Sequence, residues 1–195
     1  MSRPLDRRSV VRALLDRRGD LLVVAGLGSS AWDCTAAGDH PLTFPLWGAM
    51  GSACTIGLGL ALAQPKRRVL VVTGDGEMLM GMGSLATVAV QRPGNLAIVV
   101  LDNERYGETG MQKTHTAYGT DLAGVAAACG FGTAEVVRSA ARLAAVRAEI
   151  HRRKGPLFYQ VKVASDPVPL VLPPRDGALL KHRFREALLG KRAAE

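Results

Sequence analysis

The chain has 195 residues, 48% of them hydrophobic and 22% charged, which fits one globular domain with a real core and excludes a disordered or fibrous class. Its net charge of +8 raises nucleic acid as a partner, but the excess in Lys154 and in Arg175 to Arg192 is not interleaved with aromatics and no DNA- or RNA-binding motif accompanies it. It reads as a solvated basic tail, and no nucleic-acid partner is expected.

The apolar pattern of Asp6 to Arg18 predicts an amphipathic helix with Val10, Val11, Leu14 and Leu15 on one side. Leu21 to Ala25 reads as a short buried strand ending at Gly26. Gly51 to Ala63, rich in Gly and Ala, predicts a closely packed helix that Pro65 ends. Val69 to Thr73 is a β-branched strand, Leu79 to Val90 a helix, Pro93-Gly94-Asn95 a turn and Leu96 to Leu101 a second buried strand. Helices over Asp121 to Cys129 and Ser139 to Arg153 and a strand over Leu157 to Val163 follow. The boundaries expected are one domain over 1–166, then a Pro-rich linker and a basic helix, Ala178 to Leu189, over 167–195. Strands apolar on both faces, separated by helices, predict an α/β fold: a doubly wound, mostly parallel sheet with helices on both faces. Ligands in such sheets bind at the carboxyl ends of strands.

Outside these elements the sequence offers little to anchor or export the chain. No apolar run approaches the ~20 residues of a membrane span, and the charged start, Met1 to Arg8, has no apolar stretch behind it and is not a secretory signal. Cys34, Cys54 and Cys129 form neither a CxxC pair nor a disulfide framework, which suits a reducing cytoplasm.

Two strand ends carry unusual chemistry. The first is Gly74-Asp75-Gly76-Glu77, where glycines on both sides of Asp75 allow close backbone approach and the following helix start offers N–H groups to a phosphate. Alone, it is equally a plain tight turn. The second is Asp102-Asn103, 28 residues from Asp75 to Asn103, an interval of one helix plus one strand. That interval sets the two oxygen-bearing side chains side by side at one sheet edge. Mg²⁺ takes six oxygens, few of them from protein and the rest from phosphate and water, so Asp75, Asn103, a nearby carbonyl and two diphosphate oxygens make a chemically sensible set.

Gly-Asp-Gly, this spacing, and a strand ending in Asp-Asn resemble the thiamine-diphosphate motif. The text from Leu101 through Tyr106, Gly107 and Gln112 to Thr114-His115-Thr116 is similar to the sulfopyruvate and phosphonopyruvate decarboxylases, over roughly Leu21 to Val163. The resemblance implies that Asp75, the Asn103 side chain and the Arg105 carbonyl bind Mg²⁺, and that Gly74, Gly76, Glu77, Tyr106 and Gly107 belong to the cofactor site. It implies that Gly48, Ala49 and Met50 hold the cofactor's pyrimidine, Met50 wedging its two rings into a V; taken alone, Met50 would read as core. The family's activating glutamate lies in a pyrimidine-binding domain for which the chain has no room. A partner (alpha) subunit supplying that glutamate is therefore expected, with this chain the beta subunit of a heteromeric decarboxylase of a small 2-oxo acid. An acetolactate-synthase-like carboligase subunit, a non-catalytic assembly subunit and a nucleotide-binding module remain alternatives.

The remaining candidates weigh less. Gly26-Leu27-Gly28-Ser29-Ser30-Ala31 matches a relaxed dinucleotide fingerprint, but the ribose-binding acid is missing where Met50 stands, so it reads as a strand–helix loop facing the cofactor cleft. His115, after the metal motif, is a candidate proton shuttle or substrate ligand, and equally an exposed loop residue. Arg105 and Lys113 are candidate partners for a sulfonate or phosphonate, or plain surface charges. Asp33, Cys34, Asp39 and His40 lack metal-ligand spacing, and Trp32 and Trp47 read as packing.

Overall fold

The computed structural model describes residues 4–152 and 154–194. The elements in chain order are α1 (Arg7–Leu15), β1 (Leu22–Ala25), α2 (Ser29–Ala36), β2 (Thr43–Pro45), α3 (Ala53–Ala63), β3 (Val69–Gly74), α4 (Asp75–Met80), α5 (Ser84–Gln91), β4 (Leu96–Asp102), the short strands β5 (Arg105–Tyr106) and β6 (Gln112–Lys113), α6 (Leu122–Cys129), β7 (Thr133–Val137), α7 (Ala140–Arg152), β8 (Leu157–Lys162) and α8 (Gly177–Leu189). Six strands form a parallel sheet in the order β2-β1-β3-β4-β8-β7, and β5 and β6 form a separate antiparallel hairpin.

Alternation along each strand divides the core in two. Val24, Val71, Ile98 and Phe158 face a cluster completed by α3, α5, α6 and Phe184 of α8. Val23, Val72, Val99 and Tyr159 face a cluster completed by α1, α2 and α7. This is the doubly wound α/β arrangement, and it explains why β1 is apolar at every position and β4 from Leu96 to Leu101: both faces are buried. Helix starts follow capping chemistry. Asp6 accepts the N–H of Ser9 at 2.7 Å, Asp121 that of Gly124 at 2.9 Å, and Asp176 those of Ala178 and Leu179 at 2.9 and 3.0 Å.

The expected helix over Leu79 to Val90 is instead two. α4 begins at Asp75 itself, and the chain breaks at Gly81–Gly83, where Gly81 packs so closely on Gly51 that a Cβ would lie 2.0 Å from the Gly51 carbonyl oxygen. The break brings the start of α3 against the end of α4. Elements that apolar spacing does not predict are α2, the three-residue β2, the half-buried β7 and the hairpin. Arg153, the expected end of the α7 helix, lies outside the described residues. The stretch after 166 lies against the sheet domain: Phe184 is buried edge-on to Phe44 at 5.6 Å, Arg183 pairs with Asp39 at 2.6 Å, and Trp47 donates to the Pro174 carbonyl at 2.8 Å. Among the described residues, no helix is long and apolar enough to cross a membrane.

Candidate active site

Parallel pairing aligns the carboxyl ends of β1, β3 and β4. Ala25 stands opposite Val72 and Gly74 opposite Leu101, so the residues that follow each strand leave the sheet at one edge. There they line a recess of about 200 Å³. Asp75, Gly76 and Glu77 come from β3 and α4, Asn103 from the end of β4, Leu27, Ser29 and Ser30 from the turn after β1, and Arg105, Tyr106 and Glu108 from the hairpin segment. Asp75 and Asn103 therefore reach the same cleft from neighbouring strands.

Asp75 is 2% exposed. Burial raises its pKa to about 6 and the charge of Asp102 adds to the rise, while the hydroxyls of Thr114 and Thr116 oppose it. Thr114 donates to Oδ2 at 2.5 Å and Thr116 reaches the same oxygen at 3.3 Å, which fixes the carboxylate's orientation. The Asn103 Oδ1 accepts the N–H of Arg105 at 3.0 Å and closes a turn. Glu104 within that turn has φ +61°, a strained conformation for a non-glycine residue.

Asp102 is as buried as Asp75 but fully used. Its Oδ1 accepts from the Thr116 hydroxyl at 2.8 Å and the Glu104 N–H at 3.1 Å; its Oδ2 accepts from Gln160 at 2.5 Å and Lys162 at 2.7 Å. Asp102 therefore braces the loop that carries Asn103.

Glu77 points inward. Thr73 donates to its Oε2 at 2.7 Å. Burial raises its pKa, against Thr73 and the N–H groups of Ala53, Gly51 and Leu27, which favour the anion. One side chain thus meets three loops of the cleft. Gly26 is glycine because a Cβ there would stand 1.9 Å from the Glu77 carboxylate. Across the recess, the Tyr106 ring covers Gly76, where a Cβ would meet it at 2.7 Å, and the Met50 methyl lies 3.6 Å from the same point.

Gly74, Gly76, Glu77, Met50, Tyr106 and Gly107 line the cleft with Asp75, Asn103 and Arg105. Gly48 and Ala49 stand just before Met50, exposed and outside the lining; Ala49 has φ +57°. His115 is exposed and also outside it, between the two threonines that hold Asp75. Three contributors escape the sequence argument. Thr114 and Thr116 carry no role in the sequence motif, though hydroxyls two residues apart beside an acidic motif are a readable signal. Arg7 lines the cleft from α1, a place no local pattern announces.

The donor set suits a divalent cation carried by a diphosphate. One carboxylate and one amide oxygen are few for Mg²⁺, which completes its shell with phosphate and water. Among the described residues, no cluster of three or more His, Cys, Asp or Glu is arranged to hold a metal without such help. The turn after β3 meets the start of α4, with Gly74 open to close approach.

Residues 28–161 match a family model described as thiamine pyrophosphate enzyme, C-terminal TPP binding domain. The chain is 42% identical over 159 residues to the sulfopyruvate decarboxylase subunit beta of Methanothermobacter thermautotrophicus, covering 82% of each. It is 40% identical over 162 residues to the phosphonopyruvate decarboxylase of Streptomyces viridochromogenes, covering 83% of this chain and 40% of that protein, and so spans about two fifths of that relative's length. Among solved structures, the benzoylformate decarboxylase of Polynucleobacter necessarius superposes with a TM-score of 0.70 at 20% identity, over 87% of this chain and 35% of that one, a likeness of fold.

Proposed function

The chain belongs to the thiamine pyrophosphate enzymes, of which it carries the C-terminal, TPP-binding domain, and from this we propose that it is the beta subunit of a heteromeric decarboxylase. Its substrate is a small anionic 2-oxo acid such as 3-sulfopyruvate or 3-phosphonopyruvate, and its products are CO₂ and an aldehyde. The observation that carries this reading is the meeting of Asp75 and Asn103 in one cleft from adjacent strands. The names of the similar proteins support the substrate class.

In this reading, Asp75, the Asn103 amide oxygen and the Arg105 carbonyl hold Mg²⁺ and through it the diphosphate. Bound thiamine diphosphate supplies the nucleophilic carbon and the electron sink for loss of CO₂. Thr114 and Thr116 hold Asp75 in place, Asp102 braces the Asn103 turn, and Gly76 and Glu77 present backbone N–H groups to phosphate. Met50 and Tyr106 shape the wall beside Gly76 and keep water from it. The glutamate that activates the pyrimidine comes from an alpha subunit with a pyrimidine-binding domain. Three free thiols suit a reducing cytoplasm.

The test is reconstitution. Co-purified with its partner, the chain is expected to bind thiamine diphosphate and Mg²⁺ and to release CO₂ from 3-sulfopyruvate or 3-phosphonopyruvate. Product analysis with and without an acceptor aldehyde separates decarboxylation from carboligation. A pair that binds the cofactor but gives no aldehyde from either acid, or a chain that binds none in any pairing, would sink the reading.

A further inference from the structure

The amino ends of the strands gather a second recess, at the sheet edge opposite the cleft. Parallel pairing sets Val69 beside Leu96 and Ala97 beside Leu157, so the loops that enter β3, β4 and β8 meet there. They bound a recess of about 630 Å³. Its lining holds the six cationic side chains Lys66, Arg67, Arg68, Arg92, Arg152 and Lys154 and, among the described residues, no Asp or Glu. The six come from three stretches of chain that only folding brings together.

Two of the six are committed. Arg67 pairs with Asp20 at 3.2 Å and donates to its carbonyl at 2.7 Å. Arg68 donates to the carbonyls of His151 at 3.2 Å and Gly94 at 3.1 Å. The other four, Lys66, Arg92, Arg152 and Lys154, are exposed and make no hydrogen bond or ion pair among the described residues. His151, whose carbonyl Arg68 holds, registers the field. Burial lowers its pKa most, and the charges of Arg147, Arg68 and Arg152 lower it further, with Asp20 opposing.

The loops carrying these spare donors are fixed, and their acceptors are used. The Asn95 amide donates to the carbonyls of Ala61, Gln64 and Arg67 at 3.0, 3.0 and 2.8 Å. The Gly94 carbonyl takes the Gly155 N–H at 2.8 Å as well as Arg68. Carbonyl oxygens that would otherwise repel an anion are thus engaged. Arg92 ends α5 in the left-handed conformation, φ +46°, where helices favour glycine. A cation therefore stands at the recess in a strained backbone position that glycine would fill without strain. The Lys154 stem lies along Gly94, where a Cβ would meet its Cγ at 3.4 Å.

We propose that this recess is a binding site for a multivalent phosphate anion, a chain of two or more linked phosphoryl groups. A concave lining of one sign focuses the potential on a compact anion. Guanidinium forks and ammonium groups are the donors that phosphate oxygens take. Among the described residues no aromatic side chain lines the recess for bases to stack on, which sets a small anion ahead of a nucleic-acid strand. Inorganic polyphosphate and the phosphate chain of a nucleotide present the same chemistry. The site stands independently of what the cleft binds.

The experiment titrates the full chain with tripolyphosphate, adenosine triphosphate and orthophosphate by calorimetry, and locates binding by backbone amide shifts in NMR. EDTA is present, so that no divalent cation holds a phosphate in the cleft. Saturable binding of tripolyphosphate is expected, about ten-fold or more tighter than orthophosphate and weakened by KCl. The shifts are expected at Lys66 to Arg68, Arg92, Gly94, Asn95 and Lys154. Equal affinity for adenosine triphosphate assigns the site to the phosphate chain alone, and tighter binding adds a nucleoside contact. Arg92→Gln with Lys154→Gln is expected to weaken binding about ten-fold. Lys181→Gln with Lys191→Gln, an equal loss of charge at the far end of the chain, should change it less than about two-fold. Equal weakening by both pairs would show a diffuse field and overturn the site. Shifts confined to Gly74 to Glu77, or spread over every exposed cation, overturn it as well, as does a wild-type chain that binds neither polyphosphate. Should the Arg92 and Lys154 double variant fail to fold, the wild-type shift map decides alone.

Discussion

Asp75→Asn is expected to lower cation-dependent turnover on the order of 10³-fold, equivalent to roughly 4 kcal/mol, and at the same time to stabilise the cofactor-free chain at neutral pH. The loss follows from replacing the one carboxylate that the proposed function gives to the cation. The gain follows from burial. The Asp75 pKa rises from 3.8 to about 6, chiefly by desolvation, with Asp102 adding. A folded-state pKa above the unfolded one means that the associated stability is fully present below pH 3.8 and is lost as pH climbs through about 6. Above that point the ionised carboxylate costs the cofactor-free fold roughly 2–3 kcal/mol, which the neutral amide avoids while still accepting from Thr114. Thermal unfolding without cofactor therefore should show the variant melting above wild type at pH 7–8, with the gap closing below pH 4. Undiminished turnover would remove Asp75 from the cation site, and a gap independent of pH would refute the electrostatic account.

Asp102→Ala should do the opposite. Its four partners, the Thr116 hydroxyl, the Glu104 N–H, Gln160 and Lys162, converge on a carboxylate that is 1% exposed. Truncation leaves Lys162 with Glu104 at 2.8 Å and Thr116 with Thr114 and Asp75 at 2.9 and 3.3 Å, but strands the buried Gln160 amide. The expected cost is ~3–5 kcal/mol, the range for breaking one side of a buried pair. It is read as a lower urea midpoint at unchanged slope. A loss under 1 kcal/mol would mean that the brace is supplied elsewhere. In the proposed function two acids at neighbouring strand ends thus divide their roles: one is held at a cost to stability for the ligand, the other holds the scaffold.

The contrast also marks how far sequence carries. Val69–Gly74 and Leu96–Asp102 are legible because central strands buried on both faces read as apolar runs, here Val69 to Val72 and Leu96 to Leu101. The pairing of Asp75 with Asn103 is legible because one helix and one strand return the chain to the neighbouring position in a parallel sheet. β7 is not, because Thr133 to Val136 are half-buried at an edge and carry no uniform apolar signal. Nor is the difference between Asp75 and Asp102: both end strands, and only the positions of Thr116, Gln160 and Lys162 reveal which carboxylate is spoken for. Arg7 is the extreme case. It reads as one more polar residue at a helix start, and its place in the cleft depends on how α1 lies beside α2, which no short-range pattern encodes.

The packing of α8 against β2 has a bearing on assembly. A parallel sheet is a template that another chain can extend by pairing with a bare border strand. Here β2 has three residues, ends in Pro45 with no N–H to offer, and has Phe184 packed onto Phe44. At the other border, β7 carries Glu135, held by Arg142 at 2.7 Å, a charge that discourages an added strand. With growth of the sheet opposed at both margins, the alpha subunit proposed above is expected to dock at the crest where the strands end, completing the cleft instead of lengthening the sheet.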